Sequence, residues 1–88
     1  MARIKNRIAV PAVTAKYNAE ALEEFEKVVS ELELTVAKYI ADGLSNPEIA
    51  EITHYAYGYI KQVASSILEK TYMKKRSDIR KYLKEGKK

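Results

Sequence analysis

The 88 residues predict an all-α protein, a four-to-five-helix bundle with an extended basic arm at its N-terminus. Three observations carry that reading. From Asn18 onward, apolar residues recur at three- and four-residue steps, the period of a helix with one buried side. Start signals stand at Ser30 and Ser45, and a stop signal at Gly43. The two prolines fall where helices tolerate them, Pro11 in the arm and Pro47 in a first helical turn.

Residues 1–17 carry Arg3, Lys5, Arg7 and Lys16 and no acid. Ile4, Ile8, Val10 and Val13 are irregularly spaced, and Pro11 rules out an ordinary helix interior. An extended or disordered arm is expected. Three roles stay open for it: Arg3, Lys5 and Arg7 tracking a minor groove, apolar residues packing across a partner subunit, or simple disorder.

Leu22, Phe25, Val28, Val29, Leu32, Val36, Tyr39 and Ile40 then form a continuous helical stripe. Asn18 is positioned to cap it, and Glu20, Glu23 and Glu24 suit a helix N-terminus. Ser30 with Glu33 is a capping box inside the run, yet the stripe stays in phase across it. Residues 19–29 are either an added helix or the first part of one helix over residues 19–42; continuity or a slight bend is favoured, with Gly43 as the stop. Leu22, Phe25 and Val29 are either an association surface or a stripe folded back onto the core.

Ser45 and Glu48 form a second capping box, opening a helix over residues 46–53. Ile49, Ala50 and Thr53 mark its buried side, and Ala50 is small enough to let two helices approach closely. A turn over residues 54–56 follows, with His54 as a turn residue and Tyr55 directed to the core. The next helix, residues 57–70, buries Ile60, Val63, Ala64, Ile67 and Leu68. Its opposite face carries Tyr57, Lys61, Gln62, Ser65 and Glu69. Lys74, Lys75 and Arg76 make a basic knot, and Ser77 with Asp78 caps a last helix over residues 78–85. Ile79, Tyr82 and Leu83 are its apolar edge, and residues 86–88 form a frayed tail. The helical domain thus spans residues 18–85.

Net charge is +4, unevenly laid out. Seven acids face two lysines over residues 18–42, whereas eight bases face two acids over residues 71–88. Basic ends attract nucleic acid through counterion release, and an acidic helix should point away from it. The bland alternative is that terminal lysines only keep a small protein soluble. Cys is absent, which excludes a disulfide framework, a thiolate metal site and a Cys nucleophile. No apolar run approaches the ~20 residues that span a bilayer, and no signal-peptide segment is evident. A cytoplasmic, nucleoid-associated protein with no membrane partner is expected.

Residues 43–53, GLSNPEIAEIT, together with Ile60-Lys61, Ile67, Lys70 and Arg76, resemble the LuxR/GerE-type helix-turn-helix family. That family's pattern runs G-L-S-N-K-E-I-A-x-x-L, then T-V-K-x-H, then I-x-x-K-L-G and an Arg. The likeness extends from Ser30 to Leu83 without gaps and is most specific over Gly43 to Ala50. Thr53 stands where the family has Leu, Tyr59 where it has Thr, Val63 where it has His, and Thr71-Tyr72 where it has Leu-Gly. The resemblance implies a stand-alone small regulator without a receiver domain, with Lys61 facing DNA. It also implies that the last helix, through Ile79, Tyr82 and Leu83, is a dimer contact; Leu22 and Phe25 would extend that contact.

A helix in the major groove reads base edges from its N-terminal half. Lys61 then meets a guanine edge or a phosphate, Gln62 suits adenine, and Ser65 neighbours both. Tyr57 and Tyr59 either donate hydroxyls to phosphate or pack against the turn. Asn46 offers a donor at a helix N-terminus, and Lys74, Lys75 and Arg76 add phosphate contacts. Metal binding at His54, the one histidine, lacks a carboxylate at ligand spacing, and no cofactor is expected. With no Gly-rich phosphate loop, no nucleophile beside a base and no isolated carboxylate pair, an enzyme is not expected.

Two classes of function remain. In the first, a homodimeric transcription regulator binds double-stranded DNA at half-sites ~10 bp apart. In the second, an oligomeric assembly or adaptor protein serves phage DNA packaging or RNA polymerase, with the N-terminal helix holding a protein partner.

Overall fold

The computed structural model describes residues 17–86. Among these are five helices and no strand: α1 (Ala19–Val28), α2 (Glu31–Ala41), α3 (Asn46–Thr53), α4 (Tyr57–Thr71) and α5 (Arg76–Glu85). The first three starts follow from local capping chemistry. Asn18 accepts the Ala21 N–H (2.9 Å) to cap α1. At α2 the Ser30 hydroxyl takes the Glu33 N–H (3.2 Å) while the Glu33 carboxylate takes the Ser30 N–H (2.8 Å). Ser45 and Glu48 repeat that exchange at α3, with Pro47 in the first turn.

The single helix expected over residues 19–42 is two helices. Val29 (φ −125, ψ 162) and Ser30 (φ −78, ψ 171) are both extended, so the chain breaks there. The Ser30–Glu33 box explains why: it satisfies the N–H groups of a new helix start and removes the need for α1 to continue. Both helices turn the apolar stripe toward one core except at Val28, which is half exposed. The last helix likewise starts at Arg76 rather than Asp78. Asp78 sits in its first turn and accepts the backbone N–H groups of Lys74 and Lys75, each at 3.2 Å.

Phe25, Val36, Ile40, Ile49, Ile60, Ile67, Ile79 and Leu83 form the core, to which every helix contributes. Three expected dimer contacts are thereby reassigned: Phe25 is 2% exposed, and Ile79 and Leu83 are 0% exposed. They close the protomer and have no surface left for a partner. Leu22 and Tyr82 are half-buried against the same core, and the Phe25 and Tyr82 rings stand 6.0 Å apart. The α1 stripe has folded back, as one of its two readings required.

Tyr17, expected in the arm, belongs to the folded unit. Its ring is buried and its hydroxyl donates to the Asp42 carboxylate oxygens at 2.9 and 3.0 Å. Lys84 adds an ion pair to Asp42 (3.3 Å) and places its ammonium 4.9 Å from the Tyr17 ring centre. The Asn18 N–H reaches the Leu83 carbonyl (2.7 Å), tying the start of the domain to its end. The remainder of the arm, with Arg3, Lys5 and Arg7, lies outside the described residues, as do residues 87 and 88. No helix among the described residues is long and apolar enough to cross a membrane.

Candidate nucleic-acid interface

The pair α3 and α4 is joined by a turn whose pivot is His54, in the left-handed region at φ 64. His54 is a turn residue, as its position in the sequence suggested. Ile49 and Ala50 of α3 pack against a buried stripe of α4 made by Ile60, Val63, Ala64 and Ile67. Thr53, expected on the buried side, is half-buried, and its hydroxyl returns to the Ile49 carbonyl (2.7 Å). Burying one stripe fixes which stripe faces out, because side chains on a helix keep a fixed angular order.

That outer stripe is Tyr57, Gly58, Lys61, Gln62, Ser65 and Glu69, all exposed. Gly58, Lys61, Gln62, Ser65, Ser66 and Glu69 line a shallow open depression along it. Around Gly58 nothing lies within 4 Å of the place a Cβ would occupy, so an approaching molecule can reach the helix backbone. The Lys61 ammonium stands 5.7 Å from the Tyr57 ring centre, which restrains both side chains at the start of α4. Tyr55, expected in the core, is instead exposed and pairs with Tyr59 at 5.1 Å between ring centres. The aromatic rings outside the turn shield each other rather than filling the interior.

A buried carboxylate braces α4 from behind. Glu33 is only 7% exposed, although it stands in the acidic stretch of residues 18–42. Its carboxylate accepts from the Ser66 hydroxyl (2.9 Å) and the Lys70 ammonium (2.8 Å), in addition to the Ser30 N–H (2.8 Å). Burial alone would raise its pKa, but Lys70, the Ser30 N–H and Ser66 together bring it down to about 2. One side chain thus starts α2 and fixes the rotation of α4. Its capping role was readable locally; its partners lie 33 and 37 residues away, beyond any local pattern.

The remaining expected contacts divide. Arg76 donates to the Asn46 side-chain oxygen (2.6 Å) and the Leu44 carbonyl (2.7 Å), clamping the start of α5 to the start of α3. Arg76 and Asn46 therefore serve each other in the fold. Arg80 lies against Gly43, 3.5 Å from where a Cβ would sit, and Lys84 reaches Asp42. Residues 76, 80 and 84, one turn apart on α5, thus run along the α2–α3 connection. Lys74 and Lys75 are exposed beside them. The arrangement brings Tyr57, Lys61, Gln62 and Ser65 together on one rigid face and sets Tyr59 beside it, paired with Tyr55.

Comparison of the chain with protein-family models, with curated proteins and with solved structures gave no significant match.

Proposed function

We propose that this protein binds double-stranded DNA as a homodimeric helix-turn-helix regulator, with α4 seated in the major groove. The observation that carries the reading is the outer face of α4. It is mostly polar, exposed and angularly fixed by a core stripe on one side and the Glu33 brace behind. Preorganised side chains lose little freedom on binding, and a helix of this kind fits the ~12 Å major groove. Lys61 meets a guanine edge or phosphate, Gln62 an adenine edge, and Ser65 the neighbouring position. Lys74 and Lys75, with Arg3, Lys5 and Arg7 of the arm, supply phosphate contacts that add affinity without sequence information.

Fluorescence anisotropy with a selected duplex and a random one tests this. Lys61→Ala should weaken the specific complex by about 1–3 kcal/mol and relax preference at the base it reads. Unchanged affinity in a folded variant removes Lys61 from the contact.

A second reading, an adaptor or assembly protein, is favoured by the exposed Ile52, Tyr55, Tyr57 and Tyr59 around the turn. Exposed aromatic patches are typical of protein contacts. A ring-shaped oligomer with no preference for one duplex over another would favour it.

A further inference from the structure

Helix α5 sorts its charges by side. Ile79 and Leu83 are fully buried, which fixes how the helix is turned on the core. On one flank Arg76, Arg80 and Lys84 follow each other at four-residue steps, with Lys81 next to them on the outer face. On the other flank Tyr82 and Glu85 join Glu20, Glu23 and Glu24 of α1 around an acidic depression. With Ile79 and Leu83 inside the protomer, what α5 presents outward is charge.

Two cations of the basic flank are used by the fold. Arg76 holds the Asn46 side chain (2.6 Å) and the Leu44 carbonyl (2.7 Å), and Lys84 pairs with Asp42 (3.3 Å). Arg80 and Lys81 are exposed, as are Lys74 and Lys75 just ahead of the helix. Among the described residues, none of these four has a carboxylate within ion-pair distance; Glu24, Glu33 and Asp42 are held by Lys27, Lys70 and Lys84. Asp78, which lies between them in sequence, is turned to the backbone N–H groups of Lys74 and Lys75 instead. Like charges four residues apart oppose a helix, and an anion laid along them relieves that repulsion. At its far end the strip reaches Tyr17, whose ring centre is 4.9 Å from the Lys84 ammonium, so the basic arm joins the fold there.

The place of the strip selects the anion. Through Arg76, the start of α5 is held at the start of α3, and α4 begins beyond the other end of α3. The eight residues of α3 span about 12 Å, the width of a major groove. A duplex whose groove holds the start of α4 therefore has one strand wall within reach of the strip. We infer that Lys74, Lys75, Arg80 and Lys81 carry the phosphate backbone of a DNA duplex along the edge of the groove that holds α4. This rests on the α4 reading and adds to it: α5 tracks the backbone rather than joining subunits, and Arg80 and Lys81 take part in binding.

Salt dependence, read by fluorescence anisotropy on a selected duplex and a random one, tests the strip. Each phosphate contact adds about 0.9 to the slope of log affinity against log salt. Arg80→Gln combined with Lys81→Gln should flatten that slope by about 2 on both duplexes and leave the preference between them unchanged. Between ~50 and ~200 mM salt the wild type should accordingly lose roughly tenfold more affinity than the variant. Arg80→Lys should keep the wild-type slope. Lys27→Gln, on the exposed side of α1, removes the same charge as Arg80→Gln alone and should leave the slope as it is. A double variant that melts as the wild type does and retains its slope overturns the proposal. So does Lys27→Gln if it flattens the slope as much as Arg80→Gln, since net charge then accounts for the effect. An unchanged slope with normal preference for the selected duplex sinks the strip and spares α4; a flattened slope with no preference between duplexes does the reverse. A wild type that binds neither duplex at low salt overturns both.

Discussion

Replacing Glu33 by glutamine tests the brace behind α4 in a way that yields both a magnitude and a pH window. The carboxylate is buried and accepts from the Ser30 N–H, the Ser66 hydroxyl and the Lys70 ammonium at 2.8–2.9 Å. Burial opposes its ionisation, yet the donors bring its pKa from 4.5 to about 2. At about 1.4 kcal/mol per pH unit, that gap corresponds to about 3 kcal/mol of stability in the ionised state. Lys70 is 45% exposed at its side chain, so solvent screens its share and about 2 kcal/mol is the better figure. Glutamine keeps an acceptor for the Ser30 N–H but loses the charge and turns an amide N–H toward Lys70 or Ser66. Urea unfolding followed by helical circular dichroism should therefore show a loss of about 1–2 kcal/mol at pH 7. Because the folded pKa is depressed, this contribution is complete above about pH 4.5 and disappears as pH falls toward about 2. The wild type should lose that part of its stability in this window, and Glu33→Gln should not. Equal stability at pH 7, or acid limbs that run parallel, would refute the brace. A double-mutant cycle with Lys70→Met isolates the pair.

Three other substitutions probe the reassigned residues. Leu83→Ala should cost about 2–5 kcal/mol of protomer stability, and Leu83→Asp should unfold the chain rather than merely separate subunits; thermal melts at several protein concentrations distinguish these outcomes. Tyr17→Phe removes the hydroxyl that donates to Asp42 and should cost about 1–2 kcal/mol, read by urea unfolding. Burial first, then the Asp42 carboxylate, raises the Tyr17 pKa, so this contribution holds below about pH 10 and is lost above it as the phenol ionises. The phenylalanine variant should lack that alkaline loss.

Short-range chemistry was the legible part of the chain. Asn18, Ser30–Glu33, Ser45–Glu48, Pro47 and Gly43 each determine a helix end within four residues, and the helix starts at 19 and 46 follow from them. Apolar spacing likewise separated Ile60, Val63, Ala64 and Ile67 from Lys61, Gln62 and Ser65. What spacing could not do was choose between a stripe that closes the protomer and one that meets a partner. Phe25, Ile79 and Leu83 have the same pattern either way, and only the three-dimensional packing of α1 and α5 on α2 decides. Polar partnerships across the fold were hidden for a related reason. Arg76 with Asn46, Tyr17 with Asp42 and Glu33 with Lys70 join positions 25 to 37 residues apart. Each partner stands too far along the chain for a local pattern to pair the two. Tyr72, left-handed at φ 60 where α4 ends, stands where the resembled pattern has glycine.

The most direct test of the account is a titration of the isotopically labelled protein with duplex DNA at low salt, following backbone amide shifts. Contact through the outer face of α4 predicts shifts concentrated at Tyr57, Gly58, Lys61, Gln62 and Ser65, with smaller ones at Lys74 and Lys75. If those α4 amides stay in place while DNA is present in excess, the reading of α4 as the DNA-facing helix is wrong.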